Sequence, residues 1–318
     1  MPVENWFRFC FLNLLLCLCG MTFHSALAQS PVASTPPTDL PNSTSAGAKP
    51  FSLDLIAIDK DGRPVTDLKV EEVHLTLNKV EQKTESLTST AGDPLTIGLF
   101  FDVSGSRRLD THVAEETRLA AEFLRAIWHD GDNAFIIAFN EGPFVVTQPT
   151  QKLAEIDEGL EQIPGGSRGA TALYDALCLV KSEKLNAVPG RKVYVVLSDF
   201  EDNASRNKAE NVLAVARQAE VSIFPVILGG SFTGSPAKKT EKRARHLAQT
   251  FADETGGEVL TPESWRQLSA IFQRLAGEMQ STYRLTYVPS TSSQRNGKLG
   301  KIQIETTREH VRLIYPKS

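Results

Sequence analysis

Five oxygen-bearing side chains are spaced so that they could hold one metal ion. Asp102, Ser104 and Ser106 alternate along Asp102-Val103-Ser104-Gly105-Ser106. Thr171 lies in the loop Gly169-Ala170-Thr171-Ala172-Leu173, and Asp199 closes Val195-Val196-Leu197-Ser198-Asp199. Side chains on alternate residues of one loop can converge on a single point. The chemistry is that of a hard cation: magnesium wants about six oxygens and gives up water reluctantly. Here the expected donors are mainly neutral hydroxyls, with the carboxylates acting directly or through water. So few anionic ligands leave the ion electron-poor, and an open position attracts an outside carboxylate. This suits a metal-bridged contact with an Asp or Glu of a protein partner, not hydrolysis. Singly, Asp102, Ser104 and Ser106 would also suit helix caps. Their coincidence with Thr171 and Asp199 favours a site.

Competing chemistries lack their parts. Gly165-Gly166-Ser167-Arg168-Gly169 is not followed by the Gly-Lys-Ser/Thr ending of a phosphate loop. Ser104 is outside any Gly-x-Ser-x-Gly elbow, and no histidine shows a motif for activating it. A metal-dependent hydrolase would need a general base, a nucleophile or a second metal set, none of which is recognisable. The chain is therefore expected not to be an enzyme. Cys10, Cys17, Cys19 and Cys178 have no zinc-site spacing. With 34 basic against 38 acidic residues the formal net charge is -4, the opposite of what a general nucleic-acid-binding surface wants. The basic run Lys238, Lys239, Lys242, Arg243 and Arg245 reads as a solvated helix start, and Glu201-Asp202 as a solvated acidic loop.

The elements that must position the five residues lie in residues 93–280. Leu95 to Phe101 is a continuous apolar strand, and Leu119, Ala120, Phe123, Leu124 and Ile127 then follow helical spacing. Further strands are expected at Ala134 to Phe139, Val193 to Leu197 and Val221 to Leu228, with an edge strand at Val145-Val146 and a short one at Val259-Leu260. Helices are expected over Leu173 to Leu185, Val212 to Ala219, Arg243 to Thr255 and Trp265 to Gln280. Such alternation implies α/β architecture: a Rossmann-like, doubly wound, mostly parallel sheet covered on both faces. In such sheets ligands sit outside the carboxyl ends of strands, where Asp102 and Asp199 fall.

The flanks differ in character. Residues 1–28 read as a signal peptide, with an apolar stretch from Phe9 to Leu18 and Ala26-Leu27-Ala28 before the expected cleavage after Ala28. Export to the periplasm or the medium follows, and cleavage leaves Cys178 as a lone, buried-type thiol. Residues 29–50 carry five prolines among small polar residues and read as a disordered linker. Residues 51–92 alternate as strands: Phe51, Leu53 and Leu55, then Val73, Leu75 and Leu77, which leaves His74 facing solvent. Residues 281–318 repeat the style with Tyr283, Leu285 and Tyr287, then Ile302 and Ile304, then Val311 and Leu313. Neither flank has enough strands for a core of its own. The expectation is one small β-sandwich formed by both, with the central segment inserted between them.

Residues 93–280 resemble the von Willebrand factor type A domain with its metal-ion-dependent adhesion site (MIDAS). Asp102, Ser104 and Ser106 match the D-x-S-x-S element, Thr171 the lone threonine and Asp199 the later aspartate. The stretch Asp59-Lys60-Asp61-Gly62-Arg63-Pro64-Val65 and the Tyr-x-Leu-x-Tyr element at 283–287 resemble a bacterial secreted branch. The resemblance implies magnesium or manganese and partner binding of the adhesion type. Two departures stand out. Phe200 follows Asp199 where the family commonly has glycine, and Arg107-Arg108 follow Ser106 where an apolar residue is usual. Arginines facing the site would repel a cation or hold an acidic partner; facing away, they are solvated. A scaffold module with a weak or empty site is the alternative.

Overall fold

The computed structural model describes residues 50–105, 110–165, 169–181, 185, 188, 190–228, 239–290 and 300–317. The expected signal peptide, the linker up to Lys49, Ser106 and Arg107-Arg108 lie outside the described residues. Two sheets organise the rest.

The central sheet has five strands: β4 (Leu95–Asp102), β5 (Asn133–Phe139), β6 (Pro143–Thr150), β7 (Arg191–Ser198) and β8 (Val221–Ile227). Their order is β6-β5-β4-β7-β8, with β6 antiparallel and the others parallel. Every residue of β4 and β5 is buried. Both faces are covered, so these strands read as unbroken apolar runs with no polar alternation. On one face Ile97, Leu99 and Phe101 pack with helices α1 (Asp110–Ile127), α2 (Leu153–Glu161) and α6 (Trp265–Gln280). On the other, Phe100, Phe135, Tyr194 and Val196 pack with α3 (Leu173–Cys178), α4 (Ala209–Gln218) and α5 (Lys239–Thr255). Gly98 is required by this packing: a Cβ there would come within 2.5 Å of Phe135 and 2.8 Å of Tyr194.

Local sequence explains the helix that matters most below. Ser264 caps α6 by accepting the Gln267 N–H, and Gln267 reaches back to the Glu263 N–H at 2.6 Å. Leu268, Phe272, Leu275, Ala276 and Met279 then form its buried stripe. Two sequence expectations change. Within the helix expected from Leu173 to Leu185, Leu173–Cys178 is α-helical, Leu179–Lys181 is a 3-10 turn and Leu185 is again helical, while 182–184 lie outside the described residues. The strand at Val259-Leu260 reduces to one bridge, Leu260 to Val226. Sequence reading missed α2 altogether.

The flanks pair with each other. Strands β1 (Phe51–Asp59), β2 (Val73–Leu77), β3 (Val80–Ser89), β9 (Thr282–Val288), β10 (Ile302–Thr306) and β11 (Val311–Ile314) form one antiparallel sheet in the order β10-β2-β3-β9-β1-β11. β3 joins the two parts of this sheet. β3 pairs with β2 through Val80–Gln82 and with β9 from Lys83 onward, with a register shift between Thr84 and Ser86. Leu55, Leu75, Leu77, Tyr283, Leu285 and Tyr287 form its buried core. His74 faces solvent beside Glu81, as its alternation suggested. Tyr283 explains part of its motif: its hydroxyl accepts the Leu68 N–H at 3.0 Å and donates to the Val65 carbonyl at 2.8 Å.

The two connections between flanks and centre run side by side, with the Thr90 N–H donating to the Thr282 carbonyl at 2.9 Å. Arg191, at the start of β7, donates to the Met279 carbonyl at 2.9 Å and to the Thr282 hydroxyl. The C-terminus of α6 therefore lies at the amino end of the central sheet, opposite Asp102.

Candidate metal centre at the carboxyl ends of the central strands

The chain leaves β4 towards β5 on one side and returns to β7 on the other, so the strand order reverses between β4 and β7. Asp102 is the last residue of β4, and Asp199 directly follows β7. This is the switch point at which open α/β sheets bind ligands.

Asp102 is buried, as are Ser104, Thr171 and Ser198. One Asp102 oxygen accepts the Ser104 N–H at 3.0 Å, which curls the loop as aspartates commonly do two residues back. The other accepts the Ser198 hydroxyl at 2.6 Å. Burial, with the nearby Asp199 charge, pushes the Asp102 carboxyl above the usual carboxylate range, while hydrogen bonds from Ser198 and Ser104 oppose that rise. Among the described residues no positive group contributes. A buried carboxylate next to a second one is costly unless a positive charge neutralises it.

Three loops are stitched together around Asp102. The Gly105 N–H donates to the Gly169 carbonyl at 3.2 Å, joining the Asp102 loop to the Thr171 loop. The Val103 and Ala172 N–H groups donate to the carbonyls of Phe139 and Asn140, joining both to the end of β5. The Asn203 and Ala204 N–H groups donate to the Thr171 carbonyl at 3.0 Å each, and the Asn203 side chain accepts the Thr171 N–H at 2.7 Å. Asp102, Ser104, Thr171 and Asp199 thus share one edge of the sheet. Ser106 lies outside the described residues.

The loop after β7 holds its own shape. Asp199 accepts the Glu201 N–H at 3.0 Å, and the Phe200 N–H donates to the Ser198 hydroxyl at 3.0 Å. Phe200 has φ 59, the left-handed backbone that glycine favours, yet its ring is buried in the core with α3 to α5. The acidic loop is not simply solvated. Asp202 accepts the Tyr174 N–H at 3.1 Å and the Ser205 hydroxyl at 2.5 Å, which ties the loop to the start of α3. Asp175 returns the bond by accepting the N–H groups of Arg206 and Asn207.

Sequence reasoning missed Ser198 and Asn203. Ser198 had a signal, since it stands between a buried strand and Asp199. Asn203 had none, because nothing in its neighbourhood marks a bond to a loop 32 residues away. Among the described residues no group of three His, Cys, Asp or Glu side chains could hold a metal ion. A cation here would depend on hydroxyls as well as Asp102 and Asp199, which is the donor set the sequence suggested.

No protein-family model matches the chain, and no curated protein does. Solved structures do align with it. Proximal thread matrix protein 1 from the mussel byssus is 15% identical over 71% of this chain and 50% of its own, with a TM-score of 0.46. The same mussel protein with a zinc-occupied MIDAS motif is 18% identical over 62% of this chain and 48% of its own, with a TM-score of 0.48. BatB from Bacteroides thetaiotaomicron, a conserved hypothetical protein, is 19% identical over 59% of this chain and all of its own, with a TM-score of 0.43. The chain spans about half the length of the mussel protein.

Proposed function

We propose that residues 93–280 are a von Willebrand factor type A domain inserted between the two flanks, and that the protein is an exported, non-enzymatic binding module. One observation carries this reading. The buried Asp102 carboxylate is held at a strand-order reversal by Ser198 and the Ser104 N–H, faces the charge of Asp199, and is surrounded by loops bonded to one another. Asp102, Ser104, Ser106, Thr171 and Asp199 would hold magnesium or manganese. When bound, the ion supplies an electron-poor coordination position for a carboxylate of a protein partner. The residues of this chain hold the cation and leave that position open; none acts as a base or nucleophile. Export to the periplasm or medium rests on the signal-like residues 1–28. Among the described residues no helix is long and apolar enough to cross a membrane.

Thermal melts in EDTA, magnesium and manganese, on wild type and Asp199→Ala, test the reading. Binding to the native state alone adds about 2.7 kcal/mol at a hundredfold excess over Kd. The expected result is a metal-dependent rise in wild type that Asp199→Ala removes. A wild type whose melt ignores both metals would overturn the metal site and favour a scaffold role. Capture of a partner should likewise be abolished by EDTA.

A further inference from the structure

At the opposite end of the central sheet from Asp102, a cavity of about 410 Å³ opens between the flank sheet and α6. Lys60 and Gly62 line it from the turn after β1, His310 and Arg312 from the β10–β11 turn and β11, and Arg274 from α6. Asp59 is the one acidic residue of its lining, and its carboxylate already accepts the N–H groups of Asp61 and Arg63 at 2.8 Å. The cavity therefore gathers positive side chains from three separate elements, with most of their donors unspent. Lys60 has no ion-pair or hydrogen-bond partner among the described residues. Arg312 spends one nitrogen on Glu258 at 3.0 Å.

Arg274 is the pivot. One of its terminal nitrogens lies 3.4 Å from Glu258 and 3.3 Å from Glu278, and its stem runs beneath Gly62, where a Cβ would meet its Cδ at 3.0 Å. A side chain on Gly62 would crowd the stem that forms this wall. Glu278 is fully buried, and among the described residues neither carboxylate oxygen has a hydrogen-bond partner. The guanidinium is thus shared between two carboxylates and an open cavity.

We propose that this cavity binds a small oxyanion of charge −2 or more, with Lys60, Arg274, His310 and Arg312 supplying the contacts. Guanidinium forks on two elements match phosphate or carboxylate oxygens, and a lysine adds a point charge. The volume is in the range of small-molecule sites and exceeds what one phosphate fills, so the ligand carries more than a single oxyanion group. Such a ligand would join the flank sheet to α6.

The arrangement carries its own pH signature. Burial pushes the Glu278 carboxyl up to about 7; Arg274 and Arg312 draw it down, and Glu258 raises it further. The turn packed on α6 adds Asp59, Lys60, Asp61 and Arg63 to the charges near it. Neutral Glu278 frees Arg274 for the anion. Affinity therefore falls as pH rises through about 7.

Titration calorimetry of the whole protein with pyrophosphate, at pH 6 and pH 8 and at ionic strength fixed with sodium chloride, tests this. The expected result is saturable binding, several-fold tighter at pH 6. Lys60→Ala combined with Arg312→Gln should weaken it at least tenfold while the melt in chloride stays cooperative. Glu278→Gln should keep binding and shrink the pH dependence. Citrate in parallel distinguishes the sources: tighter pyrophosphate assigns a phosphate ligand, tighter citrate a polycarboxylate, and either supports the site. Absence of saturable binding of both anions at pH 6, or equal binding by the double variant, overturns it.

Discussion

Glu278 offers the most direct physical test of the structure. It lies near the C-terminus of α6, fully buried, with Arg274 at 3.3 Å and, among the described residues, no hydrogen bond to either oxygen. Burial raises its carboxyl from an ordinary 4.5 to about 7. The folded state therefore holds the proton more tightly than the unfolded chain does. Its stabilising effect is complete below about pH 4.5 and is lost as pH rises through about 7. A displacement of that size, at about 1.4 kcal/mol per pH unit, corresponds to on the order of 3 kcal/mol. Glu278→Gln replaces the carboxyl with a neutral group of nearly the same shape. At pH 5, where Glu278 is already neutral, the variant should melt close to wild type. At pH 8 it should be more stable by up to about 3 kcal/mol, roughly 6 °C for a protein of this size. Paired calorimetric melts at the two pH values measure this. A variant that is destabilised at pH 8, or whose effect is the same at both values, would refute the reasoning. Either result would mean that pairing with Arg274 outweighs the cost of burying the charge.

Other expectations follow from single contacts. Ser198→Ala should lower stability by about 1–3 kcal/mol, because a buried carboxylate oxygen of Asp102 loses its hydroxyl donor, and should reduce the metal-dependent gain; denaturant titration with and without magnesium reads both. Gly98→Ala should cost at least about 1–3 kcal/mol, since its Cβ would enter the space of Phe135 and Tyr194 in strands packed on both sides. At position 200 glycine should be more stable than alanine by about 1 kcal/mol, reversing the usual order, because φ is 59 there; both should fall below wild type for loss of the buried ring. Tyr283→Phe should cost about 1–3 kcal/mol in a chemical melt by stranding the Leu68 N–H and the Val65 carbonyl.

The central fold was legible because its strands are buried on both faces. Leu95–Asp102 and Asn133–Phe139 show unbroken apolar runs, and α6 shows helical spacing with a capping serine. The helix α2 was hidden: its nine residues bury only Ile156, Gly159 and Leu160, too narrow a stripe to stand out. In the flank sheet, alternation showed which side chains face inward but not how the layers close. The closure depends on β3 changing partners near Gln82, and a change of partner leaves no periodic trace. The 3-10 turn at Leu179–Lys181 is hidden in the sequence because apolar residues continue past Cys178 without a break in spacing.

The candidate site was legible in its oxygen donors and illegible in what holds them, and Ser198-Asp199-Phe200 shows why. Oxygen donors advertise themselves by residue type at strand ends. Their supports are read only in three dimensions. Ser198 turns its hydroxyl to Asp102 on the neighbouring strand and gives its carbonyl to the Leu228 N–H. Asp199 places its charge near Asp102 and accepts the Glu201 N–H. Phe200 sends its ring into the opposite core while its backbone takes a conformation usually left to glycine. Glycine would give this loop its shape through backbone freedom; here buried ring packing must do so, against a backbone preference of about 1–2 kcal/mol. The position of Asp199 is thereby coupled to the packing of α3, α4 and α5, and that of Asp102 to the Ser198 hydroxyl. Both carboxylates depend on the end of one strand, so a disturbance of β7 would reach them together.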